Sequence, residues 1–376
     1  MTRLRIVVMT NRFGDVGTHP QLLRLALTLQ ASGHDVRAVS LAPTGTLAGV
    51  LAEAGIGTEI VDASRRGSLP RAIARLARLF RRWRPDVVIA FLYESILPSR
   101  LAGRLGGVPA VISSIRNEYF GPRYRELVMR VTDRLAIRTV VNSGAVARSL
   151  VRRHIVTERR LVVIPNGQQV DTFRSSAETR RSMRSSIGVD DDTFLWLAIG
   201  RLTEQKDYPN LFRAFSETIE ALPRSKLLVV GRGVLEDELV EVARRLGLGD
   251  RVAFLGFRND IPSLLAASDA LVTASRYEGM PNAVMEALAA GRAVVGTNVG
   301  GTPELVDDGV NGFLVPAASP RALATAMLKL GGLSVEERSR MGASGRKLVE
   351  DRYDLGLVMD SWRTLVESIA RARDHG

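Results

Sequence analysis

The stretch Phe194-Leu-Trp-Leu-Ala-Ile-Gly-Arg-Leu-Thr-Glu-Gln-Lys206 passes from an unbroken apolar run into a glycine and then two cations. Such a run, with no polar alternation, suits a strand buried on both faces, as in a parallel sheet covered by helices. A helical pattern over 209–221 follows, so the segment reads strand, loop, helix. The same grammar recurs outward from it. Toward the N-terminus, strands are expected at 5–9, 35–40, 57–61, 86–91, 110–114 and 139–142, and toward the C-terminus at 226–230, 252–255, 270–274 and 293–297. Helical patterns fill the gaps, among them 235–246 and 282–290. Alternation of this kind predicts an α/β chain with two Rossmann-like parallel sheets, whose ligands lie beyond the carboxyl ends of the strands, facing a central cleft.

Length agrees with two domains. A chain of 376 residues exceeds the ~250–300 at which a single core stops growing. The charged, Ser-rich passage 171–192 has few apolar residues and reads as a linker, which puts the domains at 1–170 and 185–357. With 45% hydrophobic and 24% charged residues, the composition excludes disordered, collagen-like and coiled-coil chains. There is no cysteine, so disulfides, thiolate metal sites and a cysteine nucleophile are excluded. No apolar stretch approaches the ~20 residues of a membrane span, and the first apolar segment is too short for an export signal. A cytoplasmic location is expected.

The net charge of +12 is unevenly spread: residues 1–170 hold 26 Arg and no Lys against 11 acidic residues (+15), and the remainder comes to −3. A cationic first half suggests an anionic partner, such as nucleic acid, a phospholipid surface or a phosphorylated acceptor. The bias also fits a chain that uses arginine as its general surface residue, since only four of its 52 basic residues are lysine. Its densest part, 69–84, is an amphipathic helix pattern with Leu69, Ile73, Leu76, Phe80 and Trp83 as the stripe and arginines at 71, 75, 78, 81, 82 and 84 beside it. That stripe suits packing on a sheet, and the arginines suit an anionic membrane interface; the two uses are compatible.

Four loops after strands of the second half carry chemistry. Arg201 and Lys206 leave the first strand where two cations can neutralise a diphosphate. In Glu278-Gly-Met-Pro-Asn-Ala-Val-Met-Glu286, Pro281 suits the first helical position, so backbone amides near 279–283 open a helix N-terminus suited to an anion. Glu286, one turn further in, is placed for ribose hydroxyls, and Glu278 for the sugar. Gly300-Gly-Thr-Pro-Glu304 allows close backbone approach, and in Leu255-Gly-Phe-Arg-Asn-Asp260 backbone groups can hold a base edge while Arg258 stacks or pairs.

Gly200-Arg201…Lys206, Val229-Val230-Gly231, Phe254-Leu255-Gly256, Glu278-Gly279-Met280-Pro281-Asn282…Glu286-Ala287-Leu288-Ala289 and Gly300-Gly301-Thr302-Pro303-Glu304 occur in the order seen in family 4 retaining glycosyltransferases. Val163-Ile164-Pro165-Asn166-Gly167 resembles the interdomain segment of that family. The resemblance implies the GT-B fold, with Arg201 and Lys206 on the donor diphosphate, Glu278 on the transferred sugar, Glu286 on the ribose, and Gly279, Met280, Pro281 and Asn282 lining the donor. It further implies that no cofactor and no obligatory metal is needed, the two cations standing where other transferases hold Mg²⁺. Front-side attack would give retention, and a last helix, about 358–376, would return to the first domain.

The first domain departs from the pattern. Where many members have Gly-Gly-x-Glu, this chain has Phe13-Gly-Asp-Val-Gly-Thr-His-Pro20, in which Gly17 can still admit a phosphate or acceptor. Where many have a histidine, it has Ile115-Arg-Asn-Glu-Tyr119, leaving Arg116 or Asn117 to supply a polar contact. The expected activity is transfer of a hexose-type sugar from a UDP- or GDP-sugar to a saccharide or lipid-linked acceptor in polysaccharide or glycoconjugate synthesis, at the inner membrane face. The competing readings are a nucleotide-sugar epimerase or hydrolase on the same scaffold and a nucleic-acid-binding protein. Against the last, aromatics are only 5% and no basic strand is interleaved with them.

Overall fold

The computed structural model describes residues 3–14, 19–43, 47–63 and 68–374. Gly17, expected among the donor contacts, lies outside them. The chain forms two compact units, Met1–Gly167 with Gly356–Gly376, and Gln168–Leu355.

The first unit is built on seven parallel strands: β1 (Arg5–Thr10), β2 (Asp35–Ser40), β3 (Gly57–Ile60), β4 (Val87–Phe91), β5 (Ala110–Ile115), β6 (Arg138–Val141) and β7 (Leu161–Val163). Their order is β3-β2-β1-β4-β5-β6-β7. The second unit has six: β8 (Phe194–Ile199), β9 (Ser225–Val230), β10 (Val252–Phe254), β11 (Ala270–Thr273), β12 (Ala293–Thr297) and β13 (Gly312–Val315), ordered β10-β9-β8-β11-β12-β13. Helices connect the strands in both units. In each sheet the order reverses once, between β1 and β4 and between β8 and β11. Ligands of open α/β sheets bind at such switch points, because the flanking connections run to opposite faces and leave a crevice between them.

The apolar run that opens β8 feeds two cores at once. Trp196 and Ala198 join Phe212, Phe215, Leu227 and Val229 on one face, while Leu195 and Leu197 join Leu228, Met285 and Leu288 on the other. A strand side chain alternates faces with period two, so a strand sandwiched between helix layers must be apolar throughout.

Two strands escape the periodicity reading, β7 and β13. Both are short and both lie at sheet edges. The linker expected over 171–192 is also different: helix Ala177–Ser186 forms there and belongs to the second unit. Ser176 caps it by accepting from the Thr179 amide at 3.1 Å. Its anchors are polar: Arg180 and Arg184 donate to the carbonyls of residues 266–268 and pair with Asp269 at 2.7 and 3.5 Å. A reading keyed to apolar spacing has no signal for such a helix.

Helix Leu69–Trp83 buries Leu76 and Phe80, and Phe80 packs so closely on Gly106 of helix Tyr93–Gly106 that a Cβ there would lie 2.8 Å from the Phe80 Cβ. Arg71, Arg75, Arg78, Arg81, Arg82 and Arg84 are exposed. Among the described residues no helix is long and apolar enough to cross a membrane. The last helix, Leu355–Asp374, sets Trp362 5.9 Å from Phe91 at the end of β4 and Glu367 3.8 Å from His34, so residues 356–376 are part of the first unit.

Candidate active site

The loops after β8 and β11 flank the switch point of the second sheet, and the side chains they carry meet there. Lys206 ends a single 3-10 turn, Glu204–Lys206, and its Nζ donates to Glu278 Oε1 at 2.5 Å. Ser275 Oγ donates to the same oxygen at 2.7 Å, and Gln205 Nε2 reaches Oε2 at 3.5 Å and the Tyr277 carbonyl at 3.0 Å. Glu278 is thus a buried carboxylate, 6% exposed, held by one cation and two neutral donors. Arg201 is exposed and touches Gln205 Oε1 at 3.5 Å; among the described residues it has no carboxylate partner.

The loops are also locked to one another through backbone. The Arg276 amide donates to the Gln205 carbonyl at 2.8 Å, and the Arg276 guanidinium pairs with Asp207 at 3.1 Å. The Thr297 hydroxyl donates to the Ser275 carbonyl at 2.7 Å. Gly300, at φ +52°, lies where a Cβ would fall 1.9 Å from the Glu278 carbonyl oxygen, and the Gly301 amide donates to the Gly279 carbonyl at 2.9 Å. Gly231, at φ +141°, lies equally close to the Gly200 carbonyl, at 2.0 Å. The close backbone approach expected at 300–301 is therefore one of loop to loop. Tyr208 closes the floor by donating to the Gly200 carbonyl at 3.1 Å, and burial, with a smaller contribution from Glu278, pushes its pKa up.

Helix Asn282–Ala289 starts directly beyond this cluster. Pro281 stands at its N-cap, one residue earlier than expected, and has no amide to offer, so the first-turn donors are Asn282, Ala283 and Val284. Met280 is buried under the loop. Glu286 is half-buried one turn into the helix. Arg258 makes a two-pronged pair with Asp260, at 2.8 and 2.5 Å. Ser275 and Gln205 were not singled out from the sequence; Gln205 sits uncharged between Glu204 and Lys206, and Ser275 lies just past β11 outside the quoted motifs.

In the first unit, Arg116 follows β5 and is buried at 7% exposure. Its Nη2 donates to Asn166 Oδ1, and the guanidinium lies 5.7 Å from the Phe91 ring centroid. Burial pulls its pKa down to about 9. Asn117 instead turns back on its own loop, accepting from the Tyr119 amide at 3.2 Å. Gln21 exchanges two hydrogen bonds with the Gly167 backbone, at 2.7 and 3.1 Å, and Arg24 adds a third at 2.9 Å.

Two Rossmann-like units with all-parallel sheets are the GT-B architecture. The crystal structure of Anabaena Alr3699/HepE in complex with UDP and glucose has the same fold, with a TM-score of 0.86 at 22% identity over 97% of this chain and 100% of that one. Residues 17–172 match the family model described as Glycosyltransferase Family 4, and residues 179–348 match that described as Glycosyl transferases group 1. The chain belongs to this glycosyltransferase family. Among curated relatives it is similar to the UDP-Gal:alpha-D-GlcNAc-diphosphoundecaprenol alpha-1,3-galactosyltransferase of Escherichia coli, 29% identical over 255 residues. An uncharacterised glycosyltransferase of Methanocaldococcus jannaschii is 37% identical over 171 residues. These matches span 65% and 44% of this chain, and 66% and 44% of the two relatives.

Proposed function

We propose that the protein transfers a hexose-type sugar from a UDP- or GDP-sugar to a hydroxyl of a saccharide or lipid-linked acceptor, with retention, in glycoconjugate or polysaccharide synthesis. The observation that carries this reading is the Lys206–Glu278 pair with Arg201 beside it, at the switch point of the second sheet. The names of the compared proteins support it: the Escherichia coli relative takes a UDP-sugar and a diphosphate-linked lipid, and the Anabaena structure holds UDP and glucose.

As the bond from the anomeric carbon to the diphosphate breaks, negative charge grows on the leaving oxygen. Arg201 and Lys206 are the cations that meet it, a role that needs no cofactor or divalent metal ion. Glu278 holds Lys206 in place and accepts from a sugar hydroxyl, Glu286 accepts from the ribose, and the amides of Asn282, Ala283 and Val284 face the donor. The acceptor hydroxyl attacks from the face the diphosphate leaves, its oxygen bonding to the anomeric carbon while its proton passes to the departing phosphate oxygen. The exposed arginines of helix Leu69–Trp83 provide attraction to an anionic inner membrane face, where a lipid-linked acceptor resides. Their apolar stripe is spent on packing, so this attraction is electrostatic and weakens with salt.

The test is incubation with UDP- and GDP-hexoses, with and without a mixture of saccharide and lipid-linked acceptors, followed by NMR of the anomeric proton. Acceptor-dependent release of nucleoside diphosphate with an α-linked product from an α-donor is expected. Epimerised sugar, or complete hydrolysis without acceptor, would replace this reading by the epimerase or hydrolase alternative.

A further inference from the structure

Three arginines among the described residues are buried to under a tenth of their surface, Arg100, Arg116 and Arg184. Two have an acid to answer them. Arg100 lies 3.7 Å from Asp133 and also donates to Ser113, Thr132 and the Met129 carbonyl. Arg184 lies 3.5 Å from Asp269 and donates to the Ala267 carbonyl. Among the described residues, Arg116 has no carboxylate within ion-pair distance; one prong goes to Asn166, and Nη1 is buried with no hydrogen-bond partner there. A buried charge without a counter-charge is costly, so a fold that keeps one is offering it to something.

Two neighbours are unmet in the same way. Ser114 Oγ and Asn142 Oδ1 are buried without hydrogen-bond partners. Ser114 lies in β5, two residues before Arg116. β5 and β6 pair with Ile115 opposite Val141, which sets Asn142 beside Arg116, and Asn142 Nδ2 donates to the Arg116 carbonyl at 3.2 Å. Phe91, over which the guanidinium lies, is opposite Ser114 on β4. A guanidinium N–H, a hydroxyl and an amide carbonyl thus lie at the carboxyl edge of the first sheet, the edge at which such sheets receive ligands.

We propose that Arg116, Ser114 and Asn142 form a subsite for an oxyanion, a carboxylate or phosphate, carried on a hydroxylated part of the acceptor. The anion accepts from Arg116 Nη1, and an adjacent ligand hydroxyl accepts from Ser114 and donates to Asn142 Oδ1. The inference rests on the transferase reading only in calling the ligand an acceptor. The chemistry of the subsite stands by itself. Neutral acceptors leave the guanidinium uncompensated, so the subsite selects charged ones by the penalty that an unpaired buried charge carries.

Thermal unfolding and calorimetric titration of the full chain with glycerol 3-phosphate, glycerate and neutral glycerol test this. At least one of the two anions is expected to bind and raise Tm where glycerol does not, and whichever acts identifies the group as phosphate or carboxylate. Arg116→Gln should weaken that binding by about tenfold or more, the usual size of a lost charge-assisted hydrogen bond. Asn142→Asp places an internal carboxylate beside Arg116, at the loss of the Nδ2 bond to the Arg116 carbonyl, so it should abolish the anion response. Should Arg116→Gln fail to fold, Asn142→Asp alone decides. No response to either anion, or an undiminished response in the variants, overturns the proposal. UDP titration of the same samples reports on the donor site separately, so loss of the transferase reading and loss of this one are distinguishable.

Discussion

Lys206 and Glu278, 72 residues apart in sequence, meet at 2.5 Å across the switch point of the second sheet. Lys206 was expected on the donor diphosphate with Arg201, and Glu278 on the sugar. Paired, they make the cation's position depend on the carboxylate.

Lys206→Ala removes both the charge partner of the leaving diphosphate and the counter-ion of Glu278. Turnover should fall by about 10²–10³-fold, with a smaller change in KM. Because the pair is mostly buried, stability should fall as well, by about 3 kcal/mol. The double variant Lys206→Ala/Glu278→Ala should be less destabilised than the two single losses together, since it leaves no orphaned charge. Urea denaturation of the four proteins measures the coupling. Strict additivity would show that the ion pair contributes nothing.

Arg201→Ala is the contrasting case. Its side chain is exposed and, among the described residues, tied only to Gln205, so the urea midpoint should stay within about 0.5 kcal/mol of the parent. The rate of sugar transfer should nevertheless fall by about 10²-fold. Unchanged kcat would remove Arg201 from the reaction.

Gly300→Ala should damage the site from its backbone. The new methyl would strike the Glu278 carbonyl, 1.9 Å away, in a conformation that already disfavours side chains. A loss of at least about 1–3 kcal/mol is expected, together with loss of UDP-induced stabilisation. Gly247→Ala is the control: its φ is +67° but nothing lies within 4 Å, so about 1 kcal/mol should be lost with activity kept. Equal effects of the two would contradict the close approach.

His34 should make the first unit acid-sensitive. Burial lowers its pKa below the ordinary 6.5, against a smaller opposing pull from Glu367. Its Nδ1 accepts from the Leu4 amide at 3.4 Å, which requires the neutral ring. As pH falls below about 6.5, the unfolded chain takes up a proton that the folded chain resists, so stability declines from there until the folded-state pKa is passed. Urea midpoints at pH 7.5 and 5.5 should show this fall in the parent and a smaller one in His34→Gln. Identical pH dependence in the two would rule the histidine out.

Much of this arrangement was legible in the residues. β8 and β12 fall where the apolar pattern put them, because strands covered on both faces declare themselves by apolar runs. The loops bearing Arg201, Lys206 and Glu278 were legible too, as glycine, cation and acid clusters directly after such runs. Hidden from that reading were the edge strands β7 and β13, and helix Ala177–Ser186, anchored by arginines to carbonyls rather than by a stripe.

Local pattern alone determined most of the strands and helices, and which loops carry charge, since those depend on neighbours within a turn or a pleat. Only the tertiary structure decided that β8 lies against β11, and hence that Lys206 is answered by Glu278 while Arg116 is answered by no acid among the described residues. Strand order and burial are properties of distant segments brought together, and the cost or gain of a charge is set by what surrounds it there.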